Sequence, residues 1–436
     1  MIELSDEIQS IPHSPTLWAN DMVWKKRSEG ETVYHMGLGE APFPVPDRLK
    51  EALAQNAGEK EYYPAAGIPE LLETIREYYR PLVGNYVDEC DLIVAPGSKL
   101  ILFALQAAIK GDLLVPNPSW VTYVPQSKLL QTESIRVPAQ LDDEGYKIDP
   151  VILRETIHAA RKEGKNPTKI ILNSPSNPAG TNISEQVMEE IAQVCKEEEI
   201  FIISDEIYGL VSYDGNYTSM TKYAPEISAI TTGLSKHLSM GGWRFGVSFI
   251  PKKIEGLHEA LCRYISETWS CVCGPVQYAA IEAYKRHEDI EQRIKDCTDI
   301  HEHINSAICE GLRAHGIDCP KVKGGFYTYP NFRKYRKNLE QHNIKTSGDI
   351  HRYLLENYNL VSLPSTAFFG EGDDLCLRLS GCDYHDRAAD ALKGYQAGEK
   401  LDRAFIEKYA PRILESIAVF GSFMNDITSI STPKAA

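Results

Sequence analysis

No stretch of this sequence approaches the ~18 consecutive apolar residues that a membrane-spanning helix needs. Lysine and arginine nowhere gather into the basic stripe by which nucleic-acid-binding surfaces are recognised. The formal charge is −15 at pH 7, with 46 Lys and Arg against 61 Asp and Glu, which disfavours a polyanionic partner. Metal-ligand spacings are missing too. Ten cysteines run from Cys90 to Cys382, and the one close pair, Cys271 and Cys273, has no second pair at zinc spacing. His301 and His303, two residues apart, point to different sides of a helix, so no metal site is expected. The opening MIELSDEIQS is acidic and has no apolar signal core, which leads us to expect a cytoplasmic protein with reduced thiols. Internal repeats and low-complexity segments are absent.

What remains is an ordinary globular composition, 43% apolar and 25% charged, in a chain of 436 residues that is too long for one small core. Short β-branched runs alternate with helical patterns through the middle of the chain. Strands are expected at 91–96, 112–116, 169–173, 200–204, 229–233 and 245–250, with helices at 99–110 and 184–199. This alternation predicts an α/β fold, a mostly parallel sheet covered by helices, over about residues 45–285. Residues 287–316 then read as one long amphipathic helix, opening a smaller α+β unit over 286–436. Residues 1–44 read as an N-terminal arm that joins part of that smaller unit. The last forty residues carry helix patterns and no recognisable chemistry.

In an open α/β sheet, ligands bind beyond the carboxyl ends of the strands. Gly97 and Ser98 follow the first strand and offer free backbone N–H groups at a helix start, suited to a phosphate or simply to capping. Trp120 follows the second, as a ring platform or as core. NSPSNPAGT, residues 173–181, follows the third and presents Asn177 on a proline-stiffened turn. Asp205 and Tyr208 follow the fourth; a carboxylate after four apolar residues is expected to be buried and to need a partner cation. Ser235 and Lys236 follow the fifth, with Arg244 eight positions beyond the lysine. A phosphate cradle, an aromatic face, an amide, a carboxylate, a phenol and a lysine at one sheet edge are the requirements of pyridoxal 5′-phosphate.

These motifs, with MGLGEAPFPVP at 36–46, ISDEIYG at 203–209, LSKHLSMGGWRFG at 234–246 and LCLRLSG at 375–381, resemble those of fold-type I pyridoxal-phosphate enzymes, the class I/II aminotransferases related to aspartate and aromatic aminotransferases. The resemblance implies that Lys236 forms the Schiff base with the cofactor and moves the substrate proton. It implies that Asp205 pairs with the pyridine nitrogen, that Tyr208 and Asn177 hydrogen-bond the ring 3-oxygen, and that Trp120 stacks on the ring. Gly97, Ser98, Ser235 and Arg244 would hold the phosphate. Arg378 would clamp the substrate α-carboxylate, and Gly39 would close over the substrate. Lys99, beside the phosphate cradle, would meet the distal carboxylate of a dicarboxylic substrate or point to solvent. Tyr62, in EYYPAAG, would reach the phosphate of a second subunit, which implies a homodimer with shared active sites.

Two features depart from the family pattern. Gly233 stands three residues before the lysine, where a hydroxyl residue is common, and the chain beyond Arg378 is longer than usual. The expected reaction is transfer of an amino group between an amino acid and a 2-oxo acid. A lyase or decarboxylase on the same fold is the alternative, since the same Lys–Asp–Tyr set would support it. A ligand-sensing regulator would need a basic helix-turn-helix segment, and only an acidic arm precedes residue 36.

Overall fold

The computed structural model describes residues 3–11, 13–142 and 145–429. Eight strands form its main sheet, in the spatial order Cys90–Ala95, Gly246–Pro251, Ser228–Gly233, Phe201–Asp205, Pro167–Asn173, Asp112–Asn117, Ser134–Asp142 and Gly145–Ile148. Six of them point the same way; Gly246–Pro251 and Gly145–Ile148 run antiparallel to their neighbours. The six expected strands are all present within two residues of their expected ends, and the sheet is mostly parallel as expected. The hairpin formed by Ser134–Asp142 and Gly145–Ile148 escaped the sequence reading. Its polar and apolar residues alternate at the edge of the sheet, which gives no continuous apolar run to see.

Both faces of the sheet are covered, and the period of two in a strand decides which residue goes where. Leu92, Val94, Ile230, Val247 and Phe249 pack on one face with Ile75, Tyr79 and Ile281. Ile93, Ala95, Val115, Ile171 and Ile203 pack on the other with Ile101, Leu105 and Leu261. A strand buried on two faces is mostly apolar along its length, which is why these runs stood out in the sequence.

The long helix runs Glu288–Ala314, and its buried stripe, Ile300, Ile304, Ile308 and Leu312, builds a separate core. That core includes Met36 and Phe43 from the N-terminal segment, and Tyr34–His35 pairs in parallel with Leu360–Val361. A three-stranded antiparallel sheet, Tyr327–Thr328, Leu377–Ser380 and Leu363–Pro364, carries Arg378 in its middle strand.

The tail has a structural role. Helix Pro411–Thr428 buries Ile413, Phe420, Phe423, Met424 and Ile427 in the second core. Phe423 is fully buried, with ring centroids 6.0 Å from Phe332 and 5.7 Å from Tyr353. Residues 430–436 of this expected unit lie outside the described residues. Phe423→Ala should lower the unfolding free energy by about 3–5 kcal/mol in urea titrations at fixed protein concentration. A loss below about 1 kcal/mol would show that the tail is an appendage rather than core.

Candidate active site

The carboxyl ends of the parallel strands bring Ala95, Asn117, Asn173, Asp205 and Gly233 to one edge. Because Gly246–Pro251 runs the other way, its start lies at that same edge, and Arg244 arrives there with it. Gly246 sits in register between Ala95 and Gly233. A Cβ on Gly246 would lie 2.3 Å from the Ser98 nitrogen, and one on Gly233 would lie 2.5 Å from the Phe245 carbonyl oxygen. The missing hydroxyl at 233 therefore has a steric cause: this backbone leaves no room for any side chain. Gly97 caps helix Ser98–Ala108 with φ +91°, and a Cβ there would strike the Arg244 guanidinium at 2.1 Å. Glycine at 97 lets the arginine lie across the helix N-terminus.

Over this edge opens a cavity of about 480 Å³, lined by Gly39, Ser98, Lys99, Trp120, Asn177, Asp205, Tyr208, Ser235, Lys236, Arg244 and Arg378 among others. Eleven of the thirteen residues expected at the site thus share one space, and Gly97 stands directly behind Ser98. Lys99, Lys236, Arg244 and Arg378 supply positive charge against the single carboxylate of Asp205. A cation-rich cavity in a protein of net charge −15 is built for an anionic occupant.

Asp205 is 3% exposed. Among the described residues no cation pairs with it: its carboxylate accepts from the Tyr123 hydroxyl at 2.7 Å and from the Ile207 N–H at 3.3 Å. Burial pushes its pKa up to about 6, against the lowering effect of these two donors and of Lys236. Relative to the ordinary value this leaves a charge penalty on the order of 3 kcal/mol, which a cation placed against the carboxylate would relieve. The Asn173 side chain donates to the Asp205 carbonyl at 2.8 Å and accepts from the Asn177 N–H at 2.7 Å, tying the two loops together.

The Lys236 amine donates to the Gly39 carbonyl at 3.0 Å and lies 5.5 Å from the ring centres of Tyr208 and Phe326. Enclosure by these rings lowers its pKa to about 8. Tyr208 shares a hydrogen bond of 2.9 Å with Tyr327. Arg378 is fully buried; it donates to the Gly37 carbonyl and, at 3.4 Å, to Asn177 Oδ1. Its guanidinium lies 4.6 Å from the Tyr327 ring and 5.1 Å from that of Phe368. It makes no ion pair among the described residues, and its Nε is buried without a hydrogen-bond partner. No ion pair among the described residues therefore accounts for its burial. A buried guanidinium with spare donors awaits a carboxylate.

Trp120 lines the cavity and packs edge-on against Tyr123 at 5.5 Å. Lys99 places Nζ 5.2 Å from the Trp120 ring, and burial and Arg244 lower its pKa. Tyr62 is the outlier. It is 91% exposed and lines no part of the cavity. Residues that escaped the sequence reading are Tyr123, Asn173, Tyr327, and Ser14, Thr16 and Leu17 of the N-terminal segment, all of which line the site or hold Asp205. Tyr123 stands three residues after Trp120, and Tyr327 lies in GGFYTYP, which the family resemblance places at the pocket and which reads almost as well as an ordinary hairpin.

Residues 31–387 match the family described as aminotransferase class I and II. The chain is 31% identical to a probable aspartate/prephenate aminotransferase of Aquifex aeolicus, over 89% of this chain and 97% of that protein. It is also 31% identical to an asparagine–oxo-acid transaminase of Streptococcus mutans, over 94% of this chain and all of that one. The solved structure of Thermus thermophilus aspartate aminotransferase with maleate superimposes with a TM-score of 0.79 at 27% identity, covering 91% of this chain and 100% of that chain.

The enclosure of Lys236 can be measured without any ligand. In the cofactor-free protein, trace acetylation by acetic anhydride, read by peptide mass spectrometry across pH, should modify Lys236 with a midpoint near 8. A midpoint near the ordinary lysine value of about 10.4 would show that its amine is solvated.

Proposed function

This chain belongs to the class I and II aminotransferases, and from that premise we propose that it uses pyridoxal 5′-phosphate to move an amino group between an aspartate-like dicarboxylic or aromatic L-amino acid and a 2-oxo acid such as 2-oxoglutarate. The observation that carries this reading is the convergence of Lys236, Asp205 and a carboxylate-free Arg378 on one cation-rich cavity. The named relatives are transaminases, and nothing favours a lyase or decarboxylase.

The residues fit the cofactor on three counts: an under-compensated carboxylate at 205, an amine at 236 whose neutral form is accessible near neutral pH, and a helix N-terminus flanked by Arg244. When bound, pyridoxal 5′-phosphate supplies an aldehyde for the lysine and a ring that draws electron density from the substrate Cα. Asp205 would hold a proton at the pyridine nitrogen, with its carboxylate oriented by Tyr123. Tyr208 and Asn177 would hydrogen-bond the ring oxygen, and Trp120 would stack on the ring. Gly97, Ser98, Ser235 and Arg244 bind the phosphate, with Thr122 also lining that space where residue 233 has no hydroxyl. Arg378 fixes the substrate α-carboxylate with Gly39 above it, which orients the Cα proton for removal by Lys236 Nζ. Lys99 reads the distal carboxylate.

Tyr62 belongs to this reading through a second copy of the chain. A tyrosine 91% exposed is free to meet a partner's phosphate, and we assign it that place in a homodimer. The separate cores around the eight-stranded sheet and around helix Glu288–Ala314 support a division into a large unit at 45–285 and a small unit at 286–436 joined by the arm at 1–44.

Lys236→Ala should reduce the formation of glutamate from aspartate and 2-oxoglutarate by roughly 10³-fold or more. Retention of near-native turnover would remove the lysine from the chemistry. Lys99→Ala should lower kcat/KM for aspartate by roughly 10- to 100-fold while sparing alanine and phenylalanine as donors. An equal loss for all donors would assign Lys99 to the cofactor rather than to the substrate side chain.

A further inference from the structure

Tyr327 stands at the junction of four groups of the site. Its strand pairs Tyr327 with Ser380, and Arg378 lies two residues from Ser380 on the same face, so ring and guanidinium meet diagonally at 4.6 Å. Its hydroxyl is 2.9 Å from the Tyr208 hydroxyl and 3.4 Å from the Gly39 carbonyl. The glycine at 39 is required by this placement, because a Cβ there would lie 1.8 Å from the Tyr327 hydroxyl oxygen.

A phenol has one proton to donate. For Tyr327 there are two acceptors, and they are unequal. The Gly39 carbonyl is beyond the normal O–H···O range and already accepts from Lys236 at 3.0 Å. The Tyr208 oxygen is at a normal distance. Burial raises the pKa of both phenols and the Arg378 cation lowers both; Tyr327, whose ring lies against that guanidinium, comes to about 12, while the fully buried Tyr208 is driven well above the ordinary value. The better donor gives to the better acceptor. Tyr208 then keeps its own proton for the cavity.

We propose that Tyr327 is a positioning residue which donates its hydroxyl proton to Tyr208, so that Tyr208 directs its own proton to the anionic ring oxygen of the bound cofactor. Hydrogen bonds in such a chain polarise one another, so the donation from Tyr327 strengthens the one from Tyr208. The relay also links cofactor to substrate, since Arg378, the proposed α-carboxylate clamp, sits on the Tyr327 ring. This inference rests on the proposed use of pyridoxal 5′-phosphate at Lys236.

The test is a spectrophotometric pH titration of the visible absorbance of the protein loaded with pyridoxal 5′-phosphate. Donation into the ring oxygen stabilises its anion and lowers the pH midpoint of the attached cofactor. Tyr327→Phe keeps the ring on Arg378 and removes the proton, and should move the midpoint up by about half a unit. Replacing Tyr327 with 3-fluorotyrosine, a stronger donor of nearly native shape, should move it down. In a Tyr208→Phe background, Tyr327→Phe should add nothing, because the relay is already cut. An unchanged midpoint in both Tyr327 variants would overturn the proposal. So would a fall in Tyr327→Phe, which would mean that the proton runs from Tyr208 to Tyr327. A wild-type protein that acquires no visible absorbance would instead remove the cofactor reading beneath it.

Discussion

Asp205 ends strand Phe201–Asp205 with its carboxylate enclosed by protein and held by a phenol and one backbone N–H rather than by a cation. In water such a group costs nothing to ionise at neutral pH; here burial has shifted it toward its neutral form. The unmet requirement for positive charge is directed into a cavity that also holds a lysine amine easily stripped of its proton. Asp205 ends its strand, and Lys236 follows the neighbouring parallel strand, Ser228–Gly233, by three residues, so the pairing of the two strands brings them to one edge. Moving Asp205 by one residue would turn it to the other face of the sheet. The chemistry of the site therefore depends on strand register.

A second constraint is backbone proximity. Gly97, Gly233 and Gly246 stand where any side chain would strike Arg244, the Phe245 carbonyl or the Ser98 amide. Their bareness lets a reversed strand begin against a helix N-terminus and delivers an arginine to it. Gly39 does the same on the opposite wall, where it leaves space for the Tyr327 hydroxyl and offers its carbonyl to Lys236. Packing and electrostatics are thus one problem here. The glycines exist so that the charged and phenolic groups can approach.

Much of this was legible in the sequence because strands buried on both faces are mostly apolar along their length and have their functional residues at or just beyond their ends. Asp205 ends such a run, and Ser98 and Lys236 each come three residues after one. Tyr123, Asn173 and Tyr327 were not legible as site residues, for different reasons. Tyr123 acts through Asp205 across 82 positions, and Tyr327 through Tyr208 across 119, so no local pattern marks them. The N-terminal Ser14, Thr16 and Leu17 reach the cavity only because their helix is docked by tertiary contacts that no periodicity encodes. Within the protein Asp205 is held by neutral donors alone, at the cost of a raised pKa. The tail carried no motif because its role is packing, with Phe420 and Phe423 against Phe332.

The central claim is that the enclosed amine of Lys236 takes up the cofactor covalently. Protein saturated with pyridoxal 5′-phosphate, reduced with sodium borohydride and digested for peptide mass spectrometry should carry one stable phosphopyridoxyl adduct, on Lys236. An adduct on Lys99 or another lysine with Lys236 unmodified, or no adduct at all, would contradict the account.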